Sequence, residues 1–143
     1  MKITQISVFL ENKKGRLYDV CHLLGKNNIN IKALTIAESD DFGILRMVVN
    51  DPDAALKALK DSDIVAKQTE IIAVEVDDRP GGLAGILKVL EDNGINVEYM
   101  YGFVEKQSDK ALMVFRFDNI DEAIKVLMKN NVKVLAKNDV VKL

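Results

Sequence analysis

Residues 77–101 read DDRPGGLAGILKVLEDNGINVEYMY, and residues 11–35 read ENKKGRLYDVCHLLGKNNINIKALT. The two stretches align at a constant spacing of 66 residues, as 81 − 15 and 96 − 30 both give. The matched pairs include Gly15 with Gly81, Leu17 with Leu83, Asn27 with Asn93, and Asn30 with Asn96. These positions are a loop glycine, an apolar stripe, a helix stop and a strand start. The chain is therefore an internal repeat of two small units, which we place at residues 1–68 and 69–143.

The composition is that of a small globular protein. The chain has 143 residues, with 20 basic against 22 acidic side chains, so no strong net charge draws it to nucleic acid or to an anionic membrane. No apolar run in the sequence is long enough to span a bilayer, and the N-terminus alternates polar and apolar residues, unlike a signal peptide. A single cysteine fits a reducing compartment. We therefore expect a cytoplasmic protein.

Within the first repeat, the apolar spacing changes from that of a strand to that of a helix. Alternation predicts a strand at residues 3–10, and the stripe formed by Leu17, Val20, Cys21 and Leu24 predicts a helix that begins at Arg16. Asn27-Asn28 ends this helix, since Asn tolerates the left-handed conformation. The remaining predictions are strands at residues 29–38 and 44–49, a hairpin loop at 39–43, a helix capped by Asp51 with Pro52 behind it, and a short strand at 64–66.

The second repeat predicts the same order of elements. Its predicted strands lie at residues 71–76, 95–104, 111–117 and 132–136, with Val140-Val141 as a candidate extension. Asn119 and Glu122 have the spacing of a capping box at its second helix. The spacing between repeats grows to 68 after the second hairpin, which places a two-residue gain around Gln107-Ser108. The sequence thus predicts an α+β fold of two tandem ferredoxin-like βαββαβ units, each an antiparallel sheet with helices on one face.

The stretch Asp78-Arg79-Pro80-Gly81-Gly82-Leu83, followed by Asn93-Gly94-Ile95-Asn96-Val97, resembles the ACT domain family. Members of that family are small regulatory modules that usually sense amino acids. The second repeat matches the family pattern closely. The first repeat departs from it, with Asn12 in place of the acidic residue, Lys14 in place of the proline and Asn28 in place of a glycine. The resemblance covers nearly the whole chain and implies a stand-alone tandem ACT protein.

The resemblance also implies a ligand site between two ACT domains, formed by the first loop of one and the start of the second strand of the other. Glycine in the loop lets a ligand approach the backbone at a helix N-terminus, which favours an anion such as a carboxylate. Asn side chains can both donate and accept hydrogen bonds. The candidate ligand-binding residues are Asn12, Lys14, Gly15, Arg16, Leu17, Asn30 and Ile31 in the first repeat, and Asp78, Pro80, Gly81, Gly82, Leu83, Asn96 and Val97 in the second.

The same residues also have structural explanations. The glycines could serve only to turn the chain, Asn30 and Asn96 could satisfy loop backbone groups, and Arg16 and Asp78 could be solvated charges. The two loops differ in the sign of their charged residues, with Lys13-Lys14 in one and Asp77-Asp78 in the other. This difference predicts one good and one altered site.

The sequence predicts no catalytic residues, metal site or cofactor. Cys21 lies on the predicted apolar stripe and is interpreted as a core thiol. His22, the only histidine, is predicted on the polar side of its helix, so a His-based metal cluster is excluded. The sequence shows no nucleophile, base and orienting residue in an arrangement that would indicate an enzyme.

Three functions follow as hypotheses. The first is a regulator that binds an amino acid or similar metabolite between ACT domains and modulates a metabolic enzyme. The alternative is a structural or regulatory subunit of a biosynthetic enzyme, in which the ACT pair no longer binds a ligand. The altered first loop favours this alternative. RNA binding is a distant third, because this topology is shared with RNA-recognition modules but the basic and aromatic strand motifs are missing. Exposed sheet edges favour a homodimer.

Overall fold

A computed structural model describes residues 1–104 and 109–143 of the chain. The predicted two-residue gain around Gln107-Ser108 lies outside the described residues. The described chain forms two compact units, one of residues 4–69 and one of residues 70–143 together with residues 1–3.

The unit of residues 4–69 has the predicted β-α-β-β-α-β order. Its elements are β1 (Ile3–Glu11), α1 (Arg16–Lys26), β2 (Ile31–Glu38), β3 (Phe42–Val49), α2 (Pro52–Asp61) and the beginning of β4 (Ala66–Asp77). The strands lie in the order β2-β3-β1-β4, and β3 is antiparallel to both of its neighbours. Helices α1 and α2 pack beside each other on one face, where their apolar stripes bury the inward residues of the sheet.

The core of this unit follows directly from the alternation in its strands. Ile6 and Val8 of β1 face Met47 and Leu45 of β3 in register, and all four side chains are fully buried. Side chains from both helices complete the cluster, namely Val20 and Leu24 of α1 and Ala55 and Leu59 of α2. Alternate residues of the strands therefore face the helices, and their neighbours point to the opposite side of the sheet.

The unit of residues 70–143 repeats this arrangement. After β4 it contains α3 (Gly82–Asp92), β5 (Val97–Gly102), β6 (Lys110–Phe117), α4 (Ile120–Lys129) and a short α5 (Lys137–Val141). The strand order is β4-β6-β5, with antiparallel pairing throughout. Phe115 and Phe117 of β6 stack in parallel at 5.6 Å between ring centroids and lie at the centre of the core. The prediction of two tandem βαββαβ units is therefore confirmed.

A residue in the left-handed conformation follows each of the four long helices. Asn28 (φ 60°) and Gly94 (φ 70°) end α1 and α3, as the sequence predicts. Asp63 (φ 58°) and Asn131 (φ 61°) do the same after α2 and α4. Asn and Asp tolerate this conformation better than other residues with a side chain, which explains their use where glycine is absent.

Several predicted strand limits are wrong, and the strands predicted at residues 29–38 and 95–104 are observed as Ile31–Glu38 and Val97–Gly102. The short strand at residues 64–66 does not exist, because residues 64 and 65 are irregular and Ala66 opens β4. Strand β4 runs without a break to Asp77, so the strand predicted at residues 71–76 is its second half. The loop predicted at residues 39–43 is shorter, since Phe42 and Gly43 already pair with Glu11 and Leu10 of β1.

The end of the chain also differs from the prediction. The strand expected at residues 132–136 is reduced to one bridge between Val134 and Val74. Val140-Val141 belongs to α5 and not to a strand. The Asp139 carboxylate accepts a hydrogen bond from the Ala136 N–H at 3.3 Å, which starts a helical turn despite two β-branched residues. Tertiary context here overrides strand propensity.

The apolar stripe of α1 is buried only in part. Val20 and Leu24 are fully buried, whereas Leu17 is 40% exposed and Cys21 is half-buried. The prediction of Cys21 as a core thiol is therefore wrong. The spacing of the stripe predicts which side of a helix faces the sheet, but it does not predict how far each residue on that side is buried.

Candidate functional site

The loop between β1 and α1 and its repeat between β4 and α3 have the same backbone structure. In the first loop, Lys13 N–H donates to Glu11 O at 2.8 Å and Arg16 N–H donates to Lys13 O at 3.2 Å. In the second, the corresponding bonds join Arg79 to Asp77 at 2.9 Å and Gly82 to Arg79 at 2.9 Å. Gly15 and Gly81, at the last loop position, have φ of 90° and 83°. This left-handed conformation explains the glycine at both sites.

Helices α1 and α3 begin without a side-chain cap, in contrast to the other two long helices. The Asp51 side chain accepts from Ala54 N at the start of α2, at 3.1 Å, and the Asn119 side chain accepts from Glu122 N at the start of α4, at 3.2 Å. Glycine at the N-cap of α1 and α3 has no side chain to do this. Because Arg16 and Gly82 donate to loop carbonyls, the uncapped N–H groups are those of the next two residues of each helix, at the positive end of the helix dipole, where an anion is favoured.

The prediction of a complete capping box at α4 is wrong in one respect. Asn119 is the cap, as predicted. Its own backbone N–H donates to the Asp118 carboxylate at 2.9 Å, and not to Glu122. The Asp118 carboxylate therefore accepts the hydrogen bond that a capping box would assign to Glu122.

Asn12 and Arg16 of the first loop are tied to neighbouring residues. The Asn12 side-chain amide donates to the carbonyl oxygens of Ser39 and Asp40 at 3.4 and 3.3 Å. The backbone N–H of Asn12 donates to Asp41 O at 2.8 Å. Asn12 thus holds the β2–β3 turn against the loop. The Arg16 guanidinium pairs with the Asp19 carboxylate at 3.0 Å, one turn along α1. Lys14 and Gly15 are exposed.

The second loop is organised around Asp77. Its carboxylate pairs with Lys110 of β6 and with Arg79, the latter at 3.3 Å. Asp78 N–H donates to Asp109 O at 3.2 Å, the equivalent of the Asn12 backbone bond in the first unit. Asp78, Pro80 and Gly81 are exposed, whereas Gly82 and Leu83 are half-buried.

The ion pair to Lys110, supported by Arg79, holds the pKa of the Asp77 carboxyl below its ordinary value. A lowered pKa in the folded state means that the pair stabilises the fold above the unfolded pKa and that this contribution is lost as pH falls through the folded pKa. The Lys110→Met variant should therefore raise the pKa of Asp77 toward its ordinary value. Carboxyl carbon chemical shifts followed by NMR against pH measure this directly.

A matched control is Lys88→Met, which breaks the Lys88–Asp92 pair at 2.9 Å on the outer side of α3. This variant should leave the Asp77 titration unchanged. The same Asp77 titration midpoint in wild type and in Lys110→Met would contradict the assignment of Lys110 as the main cause.

Asn30 and Asn96 occupy equivalent exposed positions immediately before β2 and β5. Asn50 holds the backbone of Asn30 on both sides: its side-chain oxygen accepts from Asn30 N at 2.9 Å, and its own N–H donates to Asn30 O at 3.1 Å. In the other unit, Asp118 N–H donates to Asn96 O at 3.4 Å. In both units these hydrogen bonds join the backbone of the Asn, and not its amide side chain, to the residue that follows the third strand.

Within one unit the structure does not bring the loop residues and the Asn residue together. Gly15 lies at the N-terminal end of α1, and Asn30 follows its C-terminal end. The helix has 11 residues, which at 1.5 Å per residue separates its ends by about 16 Å. The same holds for Gly81 and Asn96 on either side of α3. The candidate residues of each unit therefore form two groups, one at each end of the first helix.

Each unit also has a cleft beside its loop that the sequence does not predict. In the first unit it measures about 270 Å³ and lies between the start of α1, the end of β1 and residues 63–65. In the second it measures about 190 Å³ between Gly82, the end of β4 and residues 131–133. The clefts are equivalent under the repeat. Residues 63–65 and 131–133 carry no motif, so only the fold reveals their part.

The cysteine and histidine of α1 show no reactive arrangement. Partial burial raises the pKa of the Cys21 thiol, which keeps it protonated and a poor nucleophile at neutral pH. His22 is exposed, as predicted, and its ring stacks on Tyr18 at 5.3 Å between centroids. Among residues 1–104 and 109–143, no group of three or more His, Cys, Asp or Glu side chains could hold a metal ion.

The family model of the ACT domain pair matches residues 1–143. The chain belongs to this family. ACT domain pairs are regulatory and not catalytic modules. No curated protein matches the chain.

Among solved structures, the chain is similar to protein BT0572 from Bacteroides thetaiotaomicron, at 45% identity over 100% of this chain and 98% of that one, with a TM-score of 0.94. It shares its fold with the regulatory subunit of aspartate kinase from Thermus thermophilus, at 16% identity, 88% and 91% coverage and a TM-score of 0.61. The corresponding subunit from Thermus flavus gives 16% identity, 88% and 90% coverage and a TM-score of 0.59. In the described part of the ACT pair, no helix is long and apolar enough to cross a membrane.

Proposed function

We propose that this ACT domain pair is a regulatory protein that binds an amino acid or a closely related metabolite. The observation that carries the proposal is the contrast between the helix starts. Asp51 and Asn119 cap α2 and α4, whereas glycine leaves α1 and α3 uncapped in both units. Uncapped N–H groups at a helix N-terminus suit the carboxylate that amino acids share.

The second half of the ligand would contact Asn30 or Asn96. Neither amide side chain is recorded in a hydrogen bond to another described residue, and both are exposed. An Asn amide can accept from an ammonium group and donate to a carboxylate. Because the loop and the Asn lie at opposite ends of a helix, a ligand that touches both takes the loop from one ACT domain and the Asn from another.

Binding of this kind would act on a partner by linkage. A ligand held by two ACT domains favours the domain arrangement that forms the site, and a partner that prefers this arrangement binds more tightly. We propose a metabolic enzyme as the partner, as is the case for the aspartate kinase subunits that share the fold.

The second loop is the better candidate for the anion contact. In the first loop, Asn12 is engaged with the β2–β3 turn and Arg16 with Asp19. The second loop has two glycines, Gly81 and Gly82, so the start of α3 carries no side chain of its own before Leu83. The altered first loop also favours the alternative function, a structural subunit of an enzyme that has lost its ligand.

A thermal-shift screen of the purified chain against the proteinogenic amino acids distinguishes these two functions. A ligand that binds only the folded state raises the melting temperature once its concentration exceeds its Kd. We expect a shift with one chemical class of amino acid, reduced at least about tenfold in apparent affinity by Asn96→Ala, which removes a charge-assisted hydrogen bond.

The matched control is Asn138→Ala, which removes another exposed amide, on α5 and outside the set of candidate residues. This variant should respond like wild type. No shift with any amino acid at millimolar concentration would contradict ligand binding and leave the structural subunit as the function.

A further inference from the structure

The loop before α3 holds one acidic side chain between two cations. The Asp77 carboxylate pairs with Lys110 of β6 through Oδ1 and with the Arg79 guanidinium through Oδ2, the latter at 3.3 Å. Lys110 lowers the pKa of the Asp77 carboxyl more than Arg79 does. These three side chains carry one net positive charge, and Arg79 is the more weakly held of the two cations.

The equivalent loop before α1 has one cation for its acid. Glu11 takes the place of Asp77, and its carboxylate pairs with Lys13 at 2.9 Å. Across the strands Glu11 faces Phe42, which carries no charge. Asp77 faces Lys110 at the same position of the repeat. Release of Lys13 would therefore break the ion pair of Glu11, whereas Asp77 stays paired when its second cation leaves.

The Arg79 guanidinium is held at the start of α3. A Cβ at Gly82 would lie 3.3 Å from the Cβ of Asp77, so the Asp77 side chain begins against the first residue of the helix. Asp77 and Gly82 also line the cleft of about 190 Å³. The Arg79 side chain is 69% exposed and contacts the Asp77 carboxylate. It therefore lies at the helix end whose uncapped N–H groups favour an anion.

We propose that Arg79 binds the carboxylate of the amino-acid ligand and leaves Asp77 to Lys110 as it does so. This inference rests on the proposed function and adds to the site a side chain that is not among the candidates predicted from the sequence. A guanidinium donates two parallel hydrogen bonds to a carboxylate. An exposed ion pair contributes little to stability, so the exchange of Asp77 for a ligand carboxylate costs little.

The exchange also gives a reason for a functional difference between the two loops. Both have the same backbone hydrogen bonds and the same uncapped helix start, so the backbone does not distinguish them. In the first loop Lys13 neutralises Glu11 and Arg16 pairs with Asp19, one cation for each acid. In the second loop Arg79 is the cation in excess. We therefore expect the second loop to bind the carboxylate and the first not to.

The first test measures amino-acid binding by Arg79 variants of the full-length chain. The probe is an equimolar mixture of the proteinogenic amino acids, and the readout is the mixture concentration that gives a fixed rise in melting temperature. Arg79→Gln should raise this concentration about tenfold or more, because it removes a charged donor from the carboxylate. Arg79→Lys should give an intermediate value, since lysine keeps the charge but not the paired donors. Lys13→Gln, at the equivalent position of the first loop, is the control and should respond like wild type.

The second test separates binding by Arg79 from support of the loop through Asp77. Lys110→Met leaves Arg79 to neutralise Asp77 by itself, which should raise the required concentration about two- to fivefold. Asp77→Asn added to Lys110→Met removes the charge that retains Arg79 and should restore the wild-type response. Asp77→Asn alone should bind at least as well as wild type. If Arg79 only supported the loop, Asp77→Asn would weaken binding as Arg79→Gln does.

The possible results distinguish the role of Arg79 from amino-acid binding itself. No rise in the melting temperature of wild type with the mixture would overturn both. A rise that Arg79→Gln retains at the same concentration would overturn the role of Arg79 and leave amino-acid binding in place. Equal losses in Asp77→Asn and Arg79→Gln, or no recovery in the Lys110→Met/Asp77→Asn double variant, would do the same.

Discussion

Replacing Gly82 with alanine is expected to lower the free energy of unfolding of the second unit by about 2–4 kcal/mol. A Cβ at Gly82 would lie 2.0 Å from the carbonyl oxygen and 3.0 Å from the carbonyl carbon of Asp77. These are backbone atoms at the end of β4, and they cannot move aside as the tip of a side chain can. Either the strand end or the first turn of α3 must shift, which also disturbs the Asp77–Lys110 pair.

Gly85→Ala is the matched control for this variant. Gly85 lies in the same helix one turn later, and a Cβ there meets nothing within 4 Å. Alanine at an exposed helix position is favoured over glycine by about 0.5–1 kcal/mol, so this variant should be slightly more stable than wild type. Urea unfolding followed by circular dichroism compares the two. Equal midpoints for Gly82→Ala and Gly85→Ala would show that the close approach does not exist.

Replacing Phe115 with alanine is expected to destabilise the second unit by about 3–5 kcal/mol. Phe115 is fully buried in the core between β4, β6, α3 and α4, and its ring stacks on Phe117. The substitution leaves a cavity and also removes the aromatic contact. Small domains are stable by only about 5–15 kcal/mol, so the variant should approach the limit of folding at physiological temperature.

Met128→Ala provides the comparison, because Met128 is 50% exposed on α4 and lies outside the core cluster. Its effect should stay within about 0.5 kcal/mol of wild type. If Phe115→Ala changed the urea midpoint as little as Met128→Ala does, the placement of Phe115 at the centre of the core would be wrong.

The sequence predicts well what local chemistry decides. Gly15 and Gly81 are recognisable as loop glycines because glycine is the residue that adopts the left-handed conformation without steric cost. Asp51 and Asn119 are recognisable as caps because a short polar side chain just before a helix can accept a hydrogen bond from a first-turn N–H. The repeat then confirms each assignment a second time.

The features that the sequence misses depend on contacts far along the chain. The polar run from Lys67 to Glu70 has the composition of a linker, yet it is the exposed part of β4. Leu17 has the spacing of a core residue, but it is 40% exposed, and the spacing alone does not tell which residues of the stripe are covered. The candidate site is incomplete for the same reason, since the cleft residues 63–65 and 131–133 are placed by the sheet and not by a motif.

The central claim is that the uncapped N-termini of α1 and α3 serve an amino-acid carboxylate. Amide ¹H–¹⁵N spectra of the full chain, recorded during titration with the amino acid that gives a thermal shift, test it most directly. We predict that the largest shift changes fall on the first-turn N–H groups of α3, at Leu83 and Ala84, while those of the capped helix α4, at Glu122 and Ala123, stay in place. Saturable binding that leaves the first turns of both α1 and α3 unchanged would contradict the claim.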